Sequence, residues 1–178
     1  MSRFSVPTSF RNDAGSSAPP ICTYSGSIAR PHRIQVPGGT YHVTSRGNRL
    51  QSIFHDDFDR RIFLALRDRV IGRCEWQLHA YCLMTNHFHL LIKTPNPNLS
   101  AGMQRLKSDY ATYFNGRYSF EGHLFQQRFA SRLIETEEHF ADTLRYIAFN
   151  PVKAGLCEHP ADWPWSSFYG ARKLLFDR

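Results

Sequence analysis

Alternating apolar and polar positions predict four β-strands. Each is rich in β-branched and aromatic residues and is bounded by turn residues, and together they cover about residues 40–46, 76–84, 87–93 and 128–134. Only Thr85 and Asn86 separate the second strand from the third. A link this short joins antiparallel strands, so we expect these two strands to form a hairpin.

Apolar residues spaced three and four positions apart predict three helices, over about residues 56–72, 98–115 and 137–149. Asp56 and Asp57 open the first helix, whose apolar side is predicted to consist of Phe58, Ile62, Ala65 and Leu66. The stripe of the second helix runs through Leu99, Met103, Leu106, Tyr110 and Tyr113.

The third helix carries signals at both ends. Thr136 is a favourable N-cap, and Pro151 is expected to stop the helix. Its core stripe consists of Phe140, Leu144, Ile147 and Ala148. Strands that alternate with helices through hairpin-like links predict an α+β fold, an antiparallel β-sheet with helices packed on it in a ferredoxin-like or RRM-like α/β sandwich.

The 178-residue chain is long enough for one domain with a substantial core. Residues 1–29 are rich in Ser, Pro, Gly and Asn and are predicted to be a flexible tail, followed by a domain over 30–170 and a C-terminal tail over 171–178. No apolar run approaches the roughly 20 residues of a membrane span. The four cysteines lack C-x-x-C spacing, which disfavours a zinc ribbon, and we expect a cytoplasmic protein with no membrane partner.

The charge of the chain is strongly and unevenly basic. Its net charge is +7, and 18 of its 22 basic residues are arginines, which suit bidentate contacts with phosphate. No acidic residue occurs between Asp13 and Asp56, where Arg30, Arg33, Arg46 and Arg49 lie. This pattern favours a nucleic-acid partner, although a merely basic soluble protein is the alternative.

Candidate chemistry first emerges at residues 86–91, which read Asn-His-Phe-His-Leu-Leu. Because residues two apart on a strand point to the same face, His87 and His89 would lie side by side. Two imidazoles on a rigid strand form half of a divalent-metal site. Two ordinary histidines at a sheet surface are an equally good interpretation of the pattern alone.

A second candidate lies on the third helix. Tyr146 and Asn150 are four residues apart, so they share one polar face with His139, Asp142 and Thr143. Such a pair can supply a phenol nucleophile and a metal ligand, whereas a surface tyrosine beside an asparagine that caps the helix is the alternative. The rival nucleophiles are Tyr110, Tyr113 and Tyr118.

These features occur in an order that resembles the REP-associated tyrosine transposases, within the single-tyrosine, His-hydrophobic-His transposases of insertion sequences. The matching segments are PGGTYHVTSRGN at 37–48, LHAYCLMTNHFHLLI at 78–92, LFQQRF at 124–129, LRYIAFNPVKAGL at 144–156 and DWPWSS at 162–167. The most specific part is MTNHFHLL followed about 55 residues later by YIAFNPVKAGL. The resemblance covers about residues 30–170.

The resemblance implies a metal-dependent enzyme that nicks single-stranded DNA beside a REP-like hairpin and transfers the strand. Tyr146 would be the nucleophile and form a 5′-phosphotyrosine, and His87, His89 and Asn150 would hold Mg²⁺ or Mn²⁺. The candidate DNA contacts are Arg46, Asn48, Arg49, Lys107, Arg128 and Lys153. Trp163 and Trp165 would either stack on unpaired bases or, as we favour, pack in the core.

Several alternatives stay open at this point. The same basic surface could belong to a non-catalytic binding module for structured DNA or RNA, or to a metal phosphodiesterase that uses water. The resemblance allows a monomer or a homodimer, because insertion-sequence relatives exchange tyrosines between subunits while the REP-associated group resembles monomers. A DNA substrate would associate the protein with the nucleoid. The sequence does not identify a general base for the tyrosine.

Overall fold

A computed structural model describes residues 35–171, which form four strands and three helices. The strands are β1 (Gly39–Arg46), β2 (Gln77–Leu83), β3 (His87–Thr94) and β4 (Ala130–Ile134). The helices are α1 (Asp57–Cys74), α2 (Leu99–Tyr118) and α3 (Glu137–Lys153), with short 3-10 turns at Asn48–Leu50 and Pro160–Asp162. Every predicted strand and helix is confirmed, with ends that differ by a few residues.

Some predictions lie outside the described residues. These are the tail at 1–29, most of the tail at 171–178, and the proposed roles of Arg30 and Arg33. Within residues 35–171 the cysteines are free thiols, and none of the helices is both long and apolar enough to cross a membrane.

The four strands form one antiparallel sheet in the order β2-β3-β1-β4. β3 pairs with β1 along its whole length, from Thr94 opposite Gly39 to His87 opposite Arg46. β2 and β3 form the expected hairpin. In a chain that runs β-α-β-β-α-β this strand order is that of a ferredoxin-like sandwich, so the predicted fold class is confirmed.

The two faces of the sheet pack against different helices. The face that carries Val43, Phe88 and Leu90 forms the main core with α1 and α2, including the predicted α2 residues Leu99, Met103, Leu106 and Tyr110. The opposite face carries Leu91 and packs against α3 in a second, smaller core. Because side chains alternate along a strand, His42, Thr44, His87 and His89 all lie on the α3 side.

The predicted apolar side of α1 is only partly correct, because Leu66 packs against the main core but two other predicted members do not. Phe58 is 51% exposed and Ala65 is also exposed, whereas the helix buries Phe63 and Val70 together with the charged residues Asp59 and Arg67. Hydrophobic periodicity fails here because it assigns every charged residue to the solvent side.

Hydrogen bonds and ring contacts compensate the two buried charges of α1. The Asp59 carboxylate accepts hydrogen bonds from Arg117, at 2.7 Å, and from the hydroxyl groups of Tyr113 and Tyr118. The Arg67 guanidinium lies 4.2 Å from the centroid of the Tyr81 ring. Buried charges are tolerated when they are paired in this way, so α1 presents a partly polar side to the core.

Pro151 does not stop α3, contrary to prediction. The helix continues to Lys153 and ends where Gly155 adopts a left-handed conformation, with φ +67°. The Leu156 amide donates to the Pro151 carbonyl and the Gly155 amide donates to the Val152 carbonyl, both at 2.9 Å, which is a Schellman motif. Pro151 is buried, and packing offsets the loss of one helical hydrogen bond so near the end.

The C-terminal segment closes the edge of the sheet. The Trp163 indole donates to the Leu83 carbonyl at 2.9 Å, and its ring packs against the second core. The Leu83 amide donates to the Trp165 carbonyl at 2.8 Å, and that ring packs against the main core. Both tryptophans therefore have the packing role that the sequence favoured.

Candidate active site

The register of β1 and β3 places three histidines together on the α3 side of the sheet. Thr44 lies opposite His89 and Arg46 lies opposite His87. His42, two residues before Thr44, reaches across to β3, and its Nε2 lies 3.0 Å from Nδ1 of His89. The His42 and His89 rings are stacked with centroids 5.3 Å apart, while the His87 and His89 centroids are 5.0 Å apart.

Helix α3 brings Tyr146 against this cluster. The centroid of its ring lies 5.6 Å from that of His89 and 5.8 Å from that of His42, with edge-on geometry in both pairs. The small residues of the buried α3 side, such as Ala148, allow the helix to approach the sheet, while Tyr146 stays 45% exposed. The ring is thus both positioned by the histidines and accessible to a large substrate.

One groove of about 470 Å³ unites the candidate residues, and we call it the histidine groove. Its walls include Arg46, His87, His89, Tyr146, Asn150 and Lys153. Lys153 belongs to it because α3 continues past Pro151, so that positions 146, 150 and 153 share one side of the helix. The Lys153 ammonium lies 5.5 Å from the centroid of the Tyr146 ring.

The two histidines of the groove and the neighbouring His42 are held neutral. Burial, reinforced by the charge of Arg46, lowers the pKa of His87 to about 4. Burial likewise lowers the pKa of His42 to about 4 and that of His89 well below its usual value. Neutral imidazoles retain a nitrogen lone pair at physiological pH, which is the form that binds a metal ion.

The hydrogen bonds of these residues leave three atoms with lone pairs that can bind a cation. His89 Nε2 is buried and has no hydrogen-bond partner, and the bond of His87 to Asn86 uses Nδ1. The Asn150 amide nitrogen donates to the Tyr146 carbonyl at 2.8 Å, which leaves the amide oxygen as the free end of that side chain. Two imidazole nitrogens and an amide oxygen can hold Mn²⁺ or Mg²⁺ with further oxygens from elsewhere.

These residues therefore fit a divalent ion, but weakly on their own. Among residues 35–171 there is no cluster of three or more His, Cys, Asp or Glu side chains arranged for a metal. The candidate ligand set brings no negative charge, so a phosphate oxygen would have to complete both the coordination and the charge balance.

The remaining predicted DNA contacts divide into three groups. Arg46 lines the histidine groove, while Asn48 and Arg49 lie in the turn that follows β1, where Arg49 is exposed. Arg128 is exposed and lines a separate cavity beside α2. Lys107 lines that cavity too, but it is only 8% exposed.

The position of Lys107 does not fit a contact with the DNA backbone. Its ammonium donates to the Gln127 carbonyl and lies 4.6 Å from the centroid of the Phe125 ring. Gln127 lines the histidine groove, so Lys107 supports one wall of that groove from behind. Sequence alone could not separate the two roles, because an exposed and a buried lysine look the same in a helical pattern.

The hydroxyl groups of the rival tyrosines make hydrogen bonds outside the histidine groove. Tyr110 is fully buried and donates to the Ile53 carbonyl, and Tyr113 and Tyr118 donate to Asp59. Burial, with the neighbouring Asp59 carboxylate, raises the pKa of Tyr118 to about 12 and also raises those of Tyr110 and Tyr113. All three phenols are harder to ionise than usual, which disfavours them as nucleophiles.

The sequence-based interpretation missed two residues of the site, His42 and Asn86. Strand alternation in Thr-Tyr-His-Val-Thr at 40–44 was the available signal for His42, because it places the imidazole opposite the apolar Tyr41 and Val43. No local signal marked Asn86, whose contacts join residues far apart in sequence.

A comparison of the sequence with models of protein families matches the segment that contains the candidate site. The model of the family described as "Transposase IS200 like" matches residues 35–150. The chain belongs to this family. The IS200-like match includes all four strands and extends to Asn150, so both histidines of β3 and Tyr146 lie within it. The predicted transposase family is confirmed.

Two relatives of this chain have names that refer to the REP-associated tyrosine transposases. A Haemophilus influenzae protein assigned to the REP-associated tyrosine transposases is 33% identical over 101 residues, which are 51% of this chain and 57% of that protein. The alignment thus spans little more than half of that relative. The REP-associated tyrosine transposase of Escherichia coli is 24% identical over 143 residues, 77% of this chain and 81% of that protein.

A solved structure has the same fold. It shows a REP-associated tyrosine transposase bound to a REP hairpin, and it covers 79% of this chain and 83% of its own at a TM-score of 0.67 and 22% identity. At this identity the likeness supports the shared α+β architecture.

Proposed function

We propose that this IS200-like transposase nicks and rejoins single-stranded DNA beside REP-like hairpins through a covalent bond to Tyr146. The observation that carries the proposal is the histidine groove. It places an accessible phenol beside two neutral imidazoles, one of which has an unpartnered Nε2 atom. The names of the relatives and the hairpin bound to the structural neighbour favour REP-like DNA as the substrate class.

In the proposed reaction, the Tyr146 oxygen attacks the scissile phosphorus in line. The new bond joins that oxygen to phosphorus, and the bond from phosphorus to the 3′ oxygen breaks. The phenol loses its proton and the departing strand ends in a 3′-hydroxyl after gaining one. Because the phosphodiester is exchanged rather than hydrolysed, a second 3′-hydroxyl can reverse the step and join strands without ATP.

The groove residues have separate proposed tasks. His87, His89 and Asn150 would hold Mg²⁺ or Mn²⁺, which when bound would offset negative charge on the phosphate. Lys153, whose ammonium lies 5.5 Å from the centre of the Tyr146 ring, would offset the negative charge that develops on the attacking oxygen and the phosphate. Arg46 would bind the phosphate next to the cut.

The proposed path of the DNA continues from the groove to the turn after β1. Asn48 and the exposed Arg49 follow Arg46 directly, so they would contact the neighbouring nucleotides. Arg128 lies beyond Phe129, which lines both the histidine groove and the cavity beside α2, and would bind a more distant phosphate. We leave Lys107 out of these contacts and assign it to the groove wall. Such a substrate would place the protein at the nucleoid.

A denaturing-gel assay tests the proposal. Labelled single-stranded oligonucleotides from the sequence that flanks the gene, each with a hairpin, are incubated with Mn²⁺ or with EDTA. We expect a covalent protein–DNA adduct that forms only with the metal and is lost in Tyr146→Phe. Tyr169→Phe is the matched control, because Tyr169 is also an exposed tyrosine, at 62%, but lies outside the groove.

Three outcomes would contradict the proposal in different ways. An adduct that persists in Tyr146→Phe would show another nucleophile. Cleavage with a free 5′-phosphate and no adduct would indicate a phosphodiesterase that uses water. Tight binding of the hairpin without any cleavage, at every metal and sequence tried, would indicate a binding module.

A further inference from the structure

Asn86 makes two side-chain hydrogen bonds that the proposed reaction does not explain. It lies in the short link between β2 and β3, directly before His87. Its Nδ2 atom donates to the Leu50 carbonyl at 3.0 Å, and its Oδ1 atom lies 2.7 Å from Nδ1 of His87. One amide therefore connects a candidate metal ligand to the turn that follows β1.

Elementary hydrogen-bond chemistry determines which atom donates and which accepts in the two bonds of Asn86. A backbone carbonyl can only accept, so the atom facing Leu50 must be the amide nitrogen of Asn86. The amide oxygen then faces His87, and an amide oxygen also only accepts. His87 must therefore carry its proton on Nδ1, which leaves the lone pair on Nε2.

This tautomer is the one that a metal site needs. With Nδ1 bonded to Asn86, Nε2 is the only ring nitrogen of His87 left to bind a cation. A ligand histidine is commonly held in this way by a hydrogen bond from its other nitrogen, which fixes both the tautomer and the ring orientation. The contact between Asn86 and Nδ1 of His87 has this arrangement.

On the side away from His87, Asn86 is bonded to a turn with an unusual backbone conformation. Arg49 and Leu50 both adopt left-handed conformations, with φ 51° and 61°, although neither is glycine. Such conformations persist only where the surroundings hold them. Asn86 holds this turn at two points, because its backbone carbonyl also accepts a hydrogen bond from the Gly47 amide at 2.8 Å.

We propose that Asn86 is a positioning residue that sets the His87 tautomer and couples it to the strained turn at 47–50. The tautomer follows from the hydrogen bonds alone. The coupling to DNA rests on the proposed function, in which Arg49 of that turn contacts the nucleotides next to the cut. DNA bound at the turn would then stabilise the orientation of His87, and a cation bound at His87 would favour DNA binding at the turn.

The first test needs no variant. The ¹⁵N chemical shifts of the imidazole nitrogens, measured by NMR on the metal-free and DNA-free protein, distinguish the two neutral tautomers. We expect His87 to carry its proton on Nδ1. A proton on Nε2 in the wild-type protein would overturn the proposal whether or not the chain cuts DNA.

Two variants separate the halves of the proposal. Asn86→Ala removes both bonds, so we expect mixed tautomers at His87 and Mn²⁺ binding about 10- to 100-fold weaker by calorimetry. Asn86→Asp keeps an acceptor for His87 but loses the donor to Leu50. We expect it to keep the tautomer and to bind a hairpin oligonucleotide more weakly by fluorescence anisotropy without metal.

Asn96→Ala is the matched control, because the Asn96 amide also makes a side-chain bond, to Glu75, but in an exposed loop away from the groove. It should change none of the three measurements. If Asn86→Ala keeps both the tautomer and the Mn²⁺ affinity of the wild type, Asn86 does not position His87. If Asn86→Asp binds the oligonucleotide as the wild type does, the coupling to the turn is refuted. If the wild type does not cleave DNA, the proposed function is contradicted, but the tautomer result is unaffected.

Discussion

Each histidine of the groove uses one ring nitrogen for a structural contact. His87 contacts Asn86 and His89 contacts His42, in both cases through Nδ1. Burial keeps both rings neutral, since the charged form would lose its hydration. The result is a site whose donor atoms are oriented by neighbouring side chains, so little reorganisation is needed when a cation and DNA arrive.

His42 offers a direct check of this arrangement. We expect His42→Ala to weaken Mn²⁺ binding about 10- to 100-fold, because His89 would lose the neighbour that orients its ring. Calorimetry or electron paramagnetic resonance of Mn²⁺ on the folded variant measures this. His79→Ala is a suitable control, because His79 packs against Phe140 on α3 and lies outside the groove. Equal Mn²⁺ affinity in the wild type and His42→Ala would show that His42 is not needed for the site.

Lys153 should affect the chemical step rather than metal binding. Without its ammonium near the Tyr146 ring, the phenolate and the phosphate lose a stabilising charge, so we expect Lys153→Ala to slow adduct formation about 10- to 100-fold. Lys153→Arg should retain part of the rate. Single-turnover kinetics on a saturating oligonucleotide measure the effect, and Arg105→Ala, on the exposed surface of α2, is the control. A rate unchanged in Lys153→Ala would exclude this role.

At the scale of elements, the length of α3 decides what the groove contains. A helix that ended before Pro151 would have carried Tyr146 and Asn150 but would have left Lys153 in a loop. The Schellman motif at Gly155 sets the end four residues later than the predicted end at 149, and it places Lys153 on the same side as the other two. Hence a backbone feature outside the groove controls the position of a charge inside it.

Gly155 is therefore expected to be sensitive to substitution for conformational reasons alone. A Cβ atom at this position would meet nothing within 4 Å, so any loss of stability in Gly155→Ala comes from its left-handed φ of +67°. We expect a loss of about 1 kcal/mol in the free energy of unfolding, measured by urea denaturation.

Gly116→Ala provides the opposite control. Gly116 lies inside α2, and a Cβ there also meets nothing within 4 Å. Because alanine favours the helix more than glycine does, this variant should be more stable by roughly 0.5–1 kcal/mol. A Gly155→Ala protein as stable as the wild type would show that the end of α3 is not held as described.

At the scale of the whole molecule, a single chain contributes every residue of the candidate site. The ring centroids of Tyr146 and His89 are 5.6 Å apart within one chain, so no exchange of helices between subunits is required to assemble the groove. We therefore expect the protein to act on DNA with the tyrosine and the histidines of the same chain, even if it dimerises.

A mixing experiment tests this expectation. His89→Ala and Tyr146→Phe should each be inactive, and an equimolar mixture should form no more adduct than the two variants separately. Recovery of adduct in the mixture would show that one subunit supplies the tyrosine and the other the histidines. Gel filtration of the same samples establishes whether dimers were present. A lack of adduct in the mixture argues against exchange between subunits only if dimers did form.

The sequence by itself determined the strands, the helices and the face of the sheet on which His87 and His89 lie. These properties depend on the local periods of strand and helix, which side chains reveal without knowledge of their neighbours. The spacing of Tyr146 and Asn150 on one helical side was determined in the same way. The motif order from His87 to Lys153 was sufficient to indicate the transposase family that the comparison confirmed.

Only the tertiary structure decided which distant groups meet. The stacking of His42 on His89 depends on the register of two strands, and the bond from Asn86 to Leu50 joins residues 36 positions apart. The burial of Asp59 and Arg67 on α1 and of Lys107 on α2 also contradicts what their polarity alone would predict. In each case the free energy of a polar group depends on partners supplied by other elements, and no local pattern records those partners.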